Sequence, residues 1–100
     1  MAKGYWVARV DVTDADAYKA YIAANAEAFH AYGARFIVRG GRFECKEGAA
    51  RARNVVIEFD SYEKALECYE SEAYGRAMSL RLGQAVSDLV IIEGYDGPQP

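Results

Sequence analysis

Arg39 and Glu58 are the two residues of this chain whose types and positions best fit chemistry on a small organic acid. Arg39 ends an alternating segment, residues 35–39, and is followed directly by Gly40 and Gly41. A guanidinium can hold a carboxylate or an enolate at two points, and glycines let a ligand approach the backbone. Glu58 alternates with apolar neighbours in a second segment, and its carboxylate could orient such a ligand or move a proton. These two residues are therefore the catalytic candidates.

Five further residues are candidates for contact with a ligand. Arg9 also alternates with apolar residues, so it is expected on the same sheet face as Arg39 and Glu58, next to a cavity on the side away from the helices. Asn25 interrupts an apolar helical stripe, and a buried amide there must be hydrogen-bonded to the protein or to a ligand. Tyrosines near the ends of elements can offer a ring face and a hydroxyl at a cavity mouth. The ligand-binding candidates are Arg9, Tyr21, Asn25, Gly40 and Tyr74.

Structural roles compete with these functional ones. Arg39 and Glu58 could instead form a salt bridge in the interior, because an isolated buried charge is costly. Tyr18 lies on the helical stripe and is expected to pack between helix and sheet. Arg81 is expected to be solvated or paired with a nearby glutamate. His30 falls off the stripe, so it is expected at the surface near a helix C-terminus, where the helix dipole favours it.

Composition narrows the classes of partner. The formal net charge is -3 and no basic stripe is present, so nucleic acid is not expected as a partner. No apolar run reaches the length of about 18 residues that a membrane span needs. Lys3 leads directly into a strand without a signal-peptide pattern, which predicts a cytoplasmic protein. The single histidine and the distant Cys45 and Cys68 predict free thiols and no metal site. A phosphate loop would need a helix and a lysine after Gly40, so no nucleotide cofactor is expected.

Strand and helix patterns alternate along the chain. β-Branched and aromatic residues with period two predict strands over residues 5–12, 34–40, 54–59 and 87–93, and a short extended arm over residues 42–46. Capping residues at positions 13–16, 60–61 and 71–72 begin three helical segments, of which the first runs to Tyr32 and ends at Gly33. The order is β-α-β-β-α-β, which predicts an α+β, ferredoxin-like fold in which a four-stranded antiparallel sheet carries its helices on one face. Residues 1–97 are expected to form one domain, and residues 98–100 a tail.

Both faces of the predicted sheet are apolar. Alternation places Trp6, Phe36 and Val38 on one face and Val7 and Ile37 on the other. Helices can cover only one of these faces, and the second is too apolar to remain in water. A second copy packed through a two-fold axis would cover it and make a dimeric α+β barrel. The sequence therefore predicts a homodimer.

Four segments carry a resemblance to a known family. Residues 4–14, 32–41, 56–59 and 87–94 resemble the small bacterial family called domain of unknown function 1330, over nearly the whole chain. That family is similar to the dimeric α+β barrel superfamily, which includes cofactor-free monooxygenases, muconolactone isomerases and stress-responsive barrel proteins. The resemblance implies the fold and the homodimer. It leaves open whether the chain is a cofactor-free monooxygenase-like or isomerase-like enzyme, a non-catalytic small-molecule-binding protein or a purely structural homodimer.

Overall fold

Four antiparallel strands and three helices make up the computed structural model, which describes residues 2–100. The strands are β1 (Gly4–Val12), β2 (Arg35–Arg39), β3 (Arg53–Phe59) and β4 (Ala85–Glu93), and the helices are α1 (Ala15–Ala31), α2 (Tyr62–Glu70) and α3 (Glu72–Ser79). The strand order is β2-β3-β1-β4 with every neighbouring pair antiparallel. The predicted ferredoxin-like α+β fold is confirmed, with α2 and α3 together filling the second helical position. The predicted arm at residues 42–46 is wrong, because those residues form no strand.

Each helix begins within the capping segment that the sequence indicates, although α1 is capped by Asp14 and not by the hydroxyl of Thr13. The Asp14 carboxylate accepts hydrogen bonds from the amides of Asp16 and Ala17, both at 3.1 Å. The Ser71 hydroxyl accepts from the amide of Tyr74 at 3.2 Å, so one serine ends α2 and begins α3. This abrupt change of helix direction brings Tyr74 into the protein core, where its side chain is fully buried.

The core lies between the helices and one face of the sheet, and Trp6 is at its centre. Its indole nitrogen donates a hydrogen bond of 2.9 Å to the carbonyl of Ala65 in α2. Its ring meets Tyr74 at a centroid distance of 4.9 Å and Phe29 at 5.2 Å, both edge to face. Aromatic pairs in this arrangement are favourable beyond the area that they bury. Trp6 therefore ties β1 to all three helices.

The alternation of β2 is broken at Ile37. Phe36 lies opposite Ile57 of β3, whereas Val38 lies opposite the next residue along, Val56. Neighbouring residues of β3 face opposite sides of the sheet, so Phe36 and Val38 also face opposite sides, although a regular strand would place them on the same side. The extra residue in β2 is therefore a β-bulge, and it reverses the side that each later residue of β2 faces. The prediction that Phe36 and Val38 share the helix-covered face is therefore wrong for Val38, which faces away from the helices.

The other sheet face has an apolar centre and charged ends, and no helix of the described residues covers it. Val7, Val90 and Ile92 are 37%, 57% and 53% exposed there. At one end Arg51 binds the carboxylates of Asp11 and Asp88 at 2.9 and 2.8 Å. We call this surface the distal face; its apolar members are Val7, Ile37, Val38, Val56, Val86, Val90 and Ile92.

Candidate functional site

A cavity lies between α1, α3 and the helix-covered face of the sheet. Its floor is apolar and includes Trp6, Phe29, Ile57 and Leu89. The cavity volume is about 40 Å³, which exceeds the ~10–15 Å³ that a single buried water needs. The space therefore suits one part of a small organic molecule, with an apolar surface against which that part can pack.

Positive charge dominates the polar part of the cavity lining. Arg39, Arg53 and Arg81 all contribute to the wall, and no aspartate or glutamate does so in the described part of the chain. Guanidinium groups are charged at every physiological pH and repel one another. Because no carboxylate is among the described lining residues, this repulsion is not balanced within the cavity wall. The remaining polar members are Tyr18, Tyr21, Asn25, Tyr74 and Ser87.

Arg81, Tyr74 and Tyr21 form a chain of hydrogen bonds at the cavity. The Arg81 guanidinium lies 3.3 Å from the Tyr74 oxygen, and the two tyrosine oxygens are 2.8 Å apart. Burial raises the pKa of Tyr74, so its hydroxyl stays protonated. Arginine can only donate, and among residues 2–100 the Tyr74 hydrogen has no acceptor other than the Tyr21 oxygen. The Tyr21 hydrogen is then left free to be donated to a ligand.

Gly40 and Arg53 are packed against each other at the end of the cavity. Gly40 has a φ of +67°, and a Cβ added to it would come within 2.6 Å of a terminal nitrogen of Arg53. The Gly40 amide donates a 2.9 Å hydrogen bond to the carbonyl of Asn54. The Nε atom of Arg53 is buried and has no hydrogen-bond partner. The space beside Gly40, which the sequence suggests is for a ligand, is therefore occupied by the Arg53 guanidinium.

Arg39 faces the cavity because it follows the bulge. It lies opposite Val55, a buried residue of the helix-covered face, and its guanidinium stacks on the Phe36 ring at 4.1 Å. The prediction that Arg39 shares a face with Arg9 and Glu58 is wrong, and the physical reason is the extra residue in β2. A salt bridge between Arg39 and Glu58 is excluded for the same reason.

Glu58 and Arg9 lie on the distal face and have protein partners. Glu58 accepts hydrogen bonds from the Tyr5 hydroxyl at 2.9 Å and from Arg35 at 3.0 Å. Arg9 donates to the carbonyl of Ala49 at 3.2 Å and lies 3.5 Å from the Asp88 carboxylate. Neither side chain contributes to the cavity wall. The structure thus separates the two catalytic candidates onto opposite sides of the sheet.

Three of the five ligand-binding candidates meet in the cavity. Tyr21, Asn25 and Tyr74 line it, and each is less than a tenth exposed. Gly40 is not among the described lining residues, but it contacts Arg53, which is one of them. His30 is exposed in the last turn of α1, as the sequence predicts.

Arg53 and Arg81 are the site residues that the sequence patterns failed to predict. For Arg53 a signal was available, because period two places it on the same face as Val55, Ile57 and Phe59. For Arg81 the signal is weaker: it lies seven residues, about two helical turns, after Tyr74. Arg81 follows the end of α3, so helical spacing alone does not fix where its side chain lies.

Fold and cavity together define a ferredoxin-like α+β protein with an arginine-rich cleft between its helices and its sheet. The chain belongs to the family Domain of unknown function (DUF1330), whose profile matches residues 3–95. A comparison with curated protein sequences finds no match.

Solved structures with low sequence identity share the fold. A protein of unknown function from Rhodopseudomonas palustris has 18% identity and a TM-score of 0.76, covering 96% of this chain and 85% of its own. SnoaB, a cofactor-independent oxygenase from Streptomyces nogalater, has 12% identity and a TM-score of 0.63, covering 100% and 97%. A dimeric ferredoxin-like protein of unknown function from Thermobifida fusca has 14% identity and a TM-score of 0.59, covering 92% and 89%. These likenesses establish the fold.

Two negative findings concern residues 2–100. The side chains described there include no group of three or more histidines, cysteines and carboxylates that could hold a metal ion. None of the helices in that range combines the length and hydropathy that a bilayer crossing requires.

Replacing Glu58 by glutamine should remove part of the acid sensitivity of folding. Bonds from Arg35 and Tyr5 hold the pKa of Glu58 below its ordinary value. A carboxyl group with a depressed pKa in the folded state stabilises the fold above its unfolded pKa, and this contribution is lost as pH falls through the folded pKa. The melting temperature of Glu58→Gln should therefore lie below that of the wild type near neutral pH, and the gap should close below about pH 4.

Melting curves at several pH values between about 7 and 3 would measure this effect. Glu44→Gln is the matched control, since Glu44 is 77% exposed and pairs only with its neighbour Lys46. A gap between Glu58→Gln and the wild type that stays constant across the pH range would contradict the prediction.

Proposed function

We propose that the cavity binds a small organic acid whose body is aromatic or otherwise apolar. The observation that carries this proposal is the presence of Arg39, Arg53 and Arg81 in one wall without a carboxylate among the described lining residues. An anionic ligand would offset the repulsion between the guanidiniums and make charge-assisted hydrogen bonds with them. Trp6 and Phe29 in the floor would pack against the apolar body of the ligand.

The hydrogen-bond direction in the cavity supports the same class of ligand. Guanidinium groups only donate, and the chain from Arg81 through Tyr74 leaves the Tyr21 hydrogen available. A ligand rich in acceptor oxygens satisfies these donors, whereas an amine would leave them unpaired and add repulsion. Carboxylate, enolate and phenolate oxygens all fit this requirement.

We further propose that any reaction in the cavity uses the ionisation of the substrate itself and no bound cofactor. Neither histidine nor a carboxylate lines the described cavity, and burial keeps Tyr74 protonated. Guanidiniums beside an enol or phenol would lower the pKa of that group and stabilise its anion. The shared fold of SnoaB, a cofactor-independent oxygenase, is consistent with a monooxygenase-like or isomerase-like enzyme of this kind. Arg39 keeps its proposed catalytic role here, whereas Glu58 does not, because it faces the other side of the sheet.

The second candidate function is that of a binding protein that does not convert its ligand. The same arginine-lined cavity wall would bind the ligand in that case. We propose that a second copy covers the distal face, because Val90 and Ile92 are more than half exposed at its centre. The dimeric state of the structurally similar Thermobifida fusca protein supports this assembly. A purely structural homodimer would leave the arginines of the cavity without a role.

The two cysteines of the chain are both free thiols. Cys68 is buried, which raises the pKa of its thiol to about 12, and Cys45 is exposed without a partner thiol. Two free thiols suit a reducing compartment, so we propose the cytoplasm. We also propose that residues 1–97 form one domain and that residues 98–100 are a tail.

Benzoate should bind to the purified protein at least about tenfold more tightly than benzamide, which has the same shape but no charge. Isothermal titration calorimetry would measure both affinities. The emission of Trp6, the single tryptophan, would show whether binding occurs at the cavity floor. Equal affinities, or no binding of either compound at millimolar concentration, would contradict the proposed ligand class.

Native mass spectrometry of the freshly purified protein should be performed alongside, because it reports both the subunit number and any small molecule retained. Incubation of a retained molecule with the protein, followed by mass analysis of the product, separates the two candidates. A changed mass, or an unchanged mass with a changed NMR spectrum as an isomerase would give, supports the enzyme, and a molecule unchanged by both measurements supports the binding protein.

A further inference from the structure

We infer that Arg53, held in place by Gly40, is the residue that anchors the carboxylate of the ligand in this cavity. The inference rests on the proposed function and specifies its central contact. It also specifies the ligand class as planar carboxylates, since Arg53, Arg81 and Tyr18 all line the same cavity and can donate to one.

The first support is the unpartnered nitrogen of Arg53. Its Nε atom is buried, and in the described structure it donates to no protein atom. A buried N–H group without an acceptor costs free energy, and such groups are rare in folded proteins unless a ligand or water completes them. The Tyr18 hydroxyl of the wall interacts with the Arg53 side chain, but Nε itself has no acceptor within hydrogen-bond distance, and a ligand oxygen would supply one.

The second support is the contact with Gly40. Any side chain at Gly40 would place its Cβ within 2.6 Å of Arg53 Nη1, and the φ of +67° also disfavours other residues there. The backbone of Gly40 is fixed by its hydrogen bond to Asn54, the residue next to Arg53. Gly40 therefore forms a rigid wall behind the guanidinium and limits the directions in which it can donate. In this account Gly40 is a positioning residue.

The third support is the surroundings of Tyr18. Burial raises the pKa of the Tyr18 hydroxyl, and the nearby charges of Arg53 and Arg81 act against this rise. Both guanidiniums and this hydroxyl belong to residues that line the same cavity, although they come from β3, from the segment after α3 and from α1. A single carboxylate between them can accept from both and from Tyr18 itself.

The geometry favours a carboxylate over a phosphate. A guanidinium whose Nε is free presents two parallel N–H groups, Nε and a terminal nitrogen, and these match the two oxygens of a planar carboxylate. The apolar floor of the cavity suits the ring or chain that a carboxylate carries, and inorganic phosphate has no such part. Benzoate, benzamide and inorganic phosphate are therefore the three probes of the test.

Arg53→Gln should bind benzoate at least about tenfold more weakly than the wild type and bind benzamide unchanged. Gly40→Ala should likewise weaken the binding of benzoate and leave that of benzamide unchanged, because the new Cβ displaces the Arg53 guanidinium without removing it. Arg53→Lys keeps the charge but lacks the parallel pair of donors, so it should recover only part of the affinity. Arg76→Gln is the matched control: Arg76 is 64% exposed and pairs with Glu27 outside the cavity, so its benzoate affinity should match the wild type.

A measurement on the wild type keeps the test independent of whether the variants fold. In arginine side-chain NMR spectra, benzoate should shift one Nε–H signal, that of the buried Arg53 Nε. The inference is overturned if no such signal responds while benzoate binds. It is equally overturned if Arg53→Gln retains full benzoate affinity while Arg39→Gln or Arg81→Gln loses it, or if phosphate displaces benzoate at equal concentration; in these cases the proposed organic-acid site survives. If the wild type does not distinguish benzoate from benzamide, the proposed function fails first.

Discussion

Replacing Trp6 by alanine should lower the free energy of unfolding by about 3–5 kcal/mol, the largest stability effect expected of a single truncation in this chain. Trp6 is 1% exposed and packs against four aromatic rings, those of Phe29, Phe59, Tyr69 and Tyr74. Truncation would leave a cavity among these rings and remove the hydrogen bond to a buried carbonyl. Total stabilities of small domains are about 5–15 kcal/mol, so much of the margin would be lost.

Urea unfolding followed by circular dichroism would measure this change without relying on tryptophan emission. Trp6→Phe keeps a ring but not the donor to Ala65, so its unfolding free energy should fall between those of the wild type and Trp6→Ala. Phe43→Ala is a suitable control, because Phe43 is 48% exposed in a loop and its truncation should change the free energy by no more than about 0.5 kcal/mol. A Trp6→Ala protein as stable as this control would show that the described core packing is incorrect.

Replacing Val90 by aspartate should weaken the proposed dimer at least about a hundredfold while leaving the subunit folded. Val90 is 57% exposed in the single subunit and lies opposite Val7, in the apolar part of the distal face along β4. A two-fold interface would bring two such carboxylates into its apolar centre without a partner charge. In the isolated subunit the new carboxylate would remain in water, so folding should be little affected.

Sedimentation velocity over a range of protein concentrations would report the change in subunit association. Leu82→Asp supplies the matched control, because Leu82 is 62% exposed in the turn after α3, away from the sheet, and should leave association unchanged. A Val90→Asp protein that remains dimeric at micromolar concentration would place the subunit contact elsewhere. A monomeric wild type would remove the reason for the distal face to be apolar.

The fold could be predicted from local signals because most of them agree with one another. Period two in β1 and β3, a carboxylate cap at Asp14 and hydroxyl caps at Ser61 and Ser71 each define an element or its beginning. Period two also separated the two sides of β1 correctly, since Trp6 is buried and Val7 is exposed. Antiparallel order followed from the element order, as the common topologies for such a chain are few.

The site was only partly predictable because it depends on backbone irregularity and on long-range packing. Tyr21, Asn25 and Tyr74 were found from their positions on helices, and they do line the cavity. Arg39 was found for its type but assigned to the wrong side, because the three consecutive apolar residues of β2 give no sign that one of them is the extra residue of a bulge. The prediction that Arg81 is solvated or paired with a glutamate is wrong, because it follows the end of α3 and its guanidinium contacts the Tyr74 hydroxyl at the cavity.

The bulge at Ile37 makes the charge of the cavity a property of the backbone path as well as of residue identity. In a relative with the same residues but no bulge, regular alternation would exchange the facing of Val38 and Arg39. The cavity would lose a guanidinium, and the distal face would acquire a charge on its edge strand β2. Two relatives with the same arginine in the same alignment column could therefore present it on opposite faces of the sheet. In one it would contact a ligand, and in the other it would lie at the subunit contact. Alignment of residue types in β2 is informative about binding only when the strand register is also known.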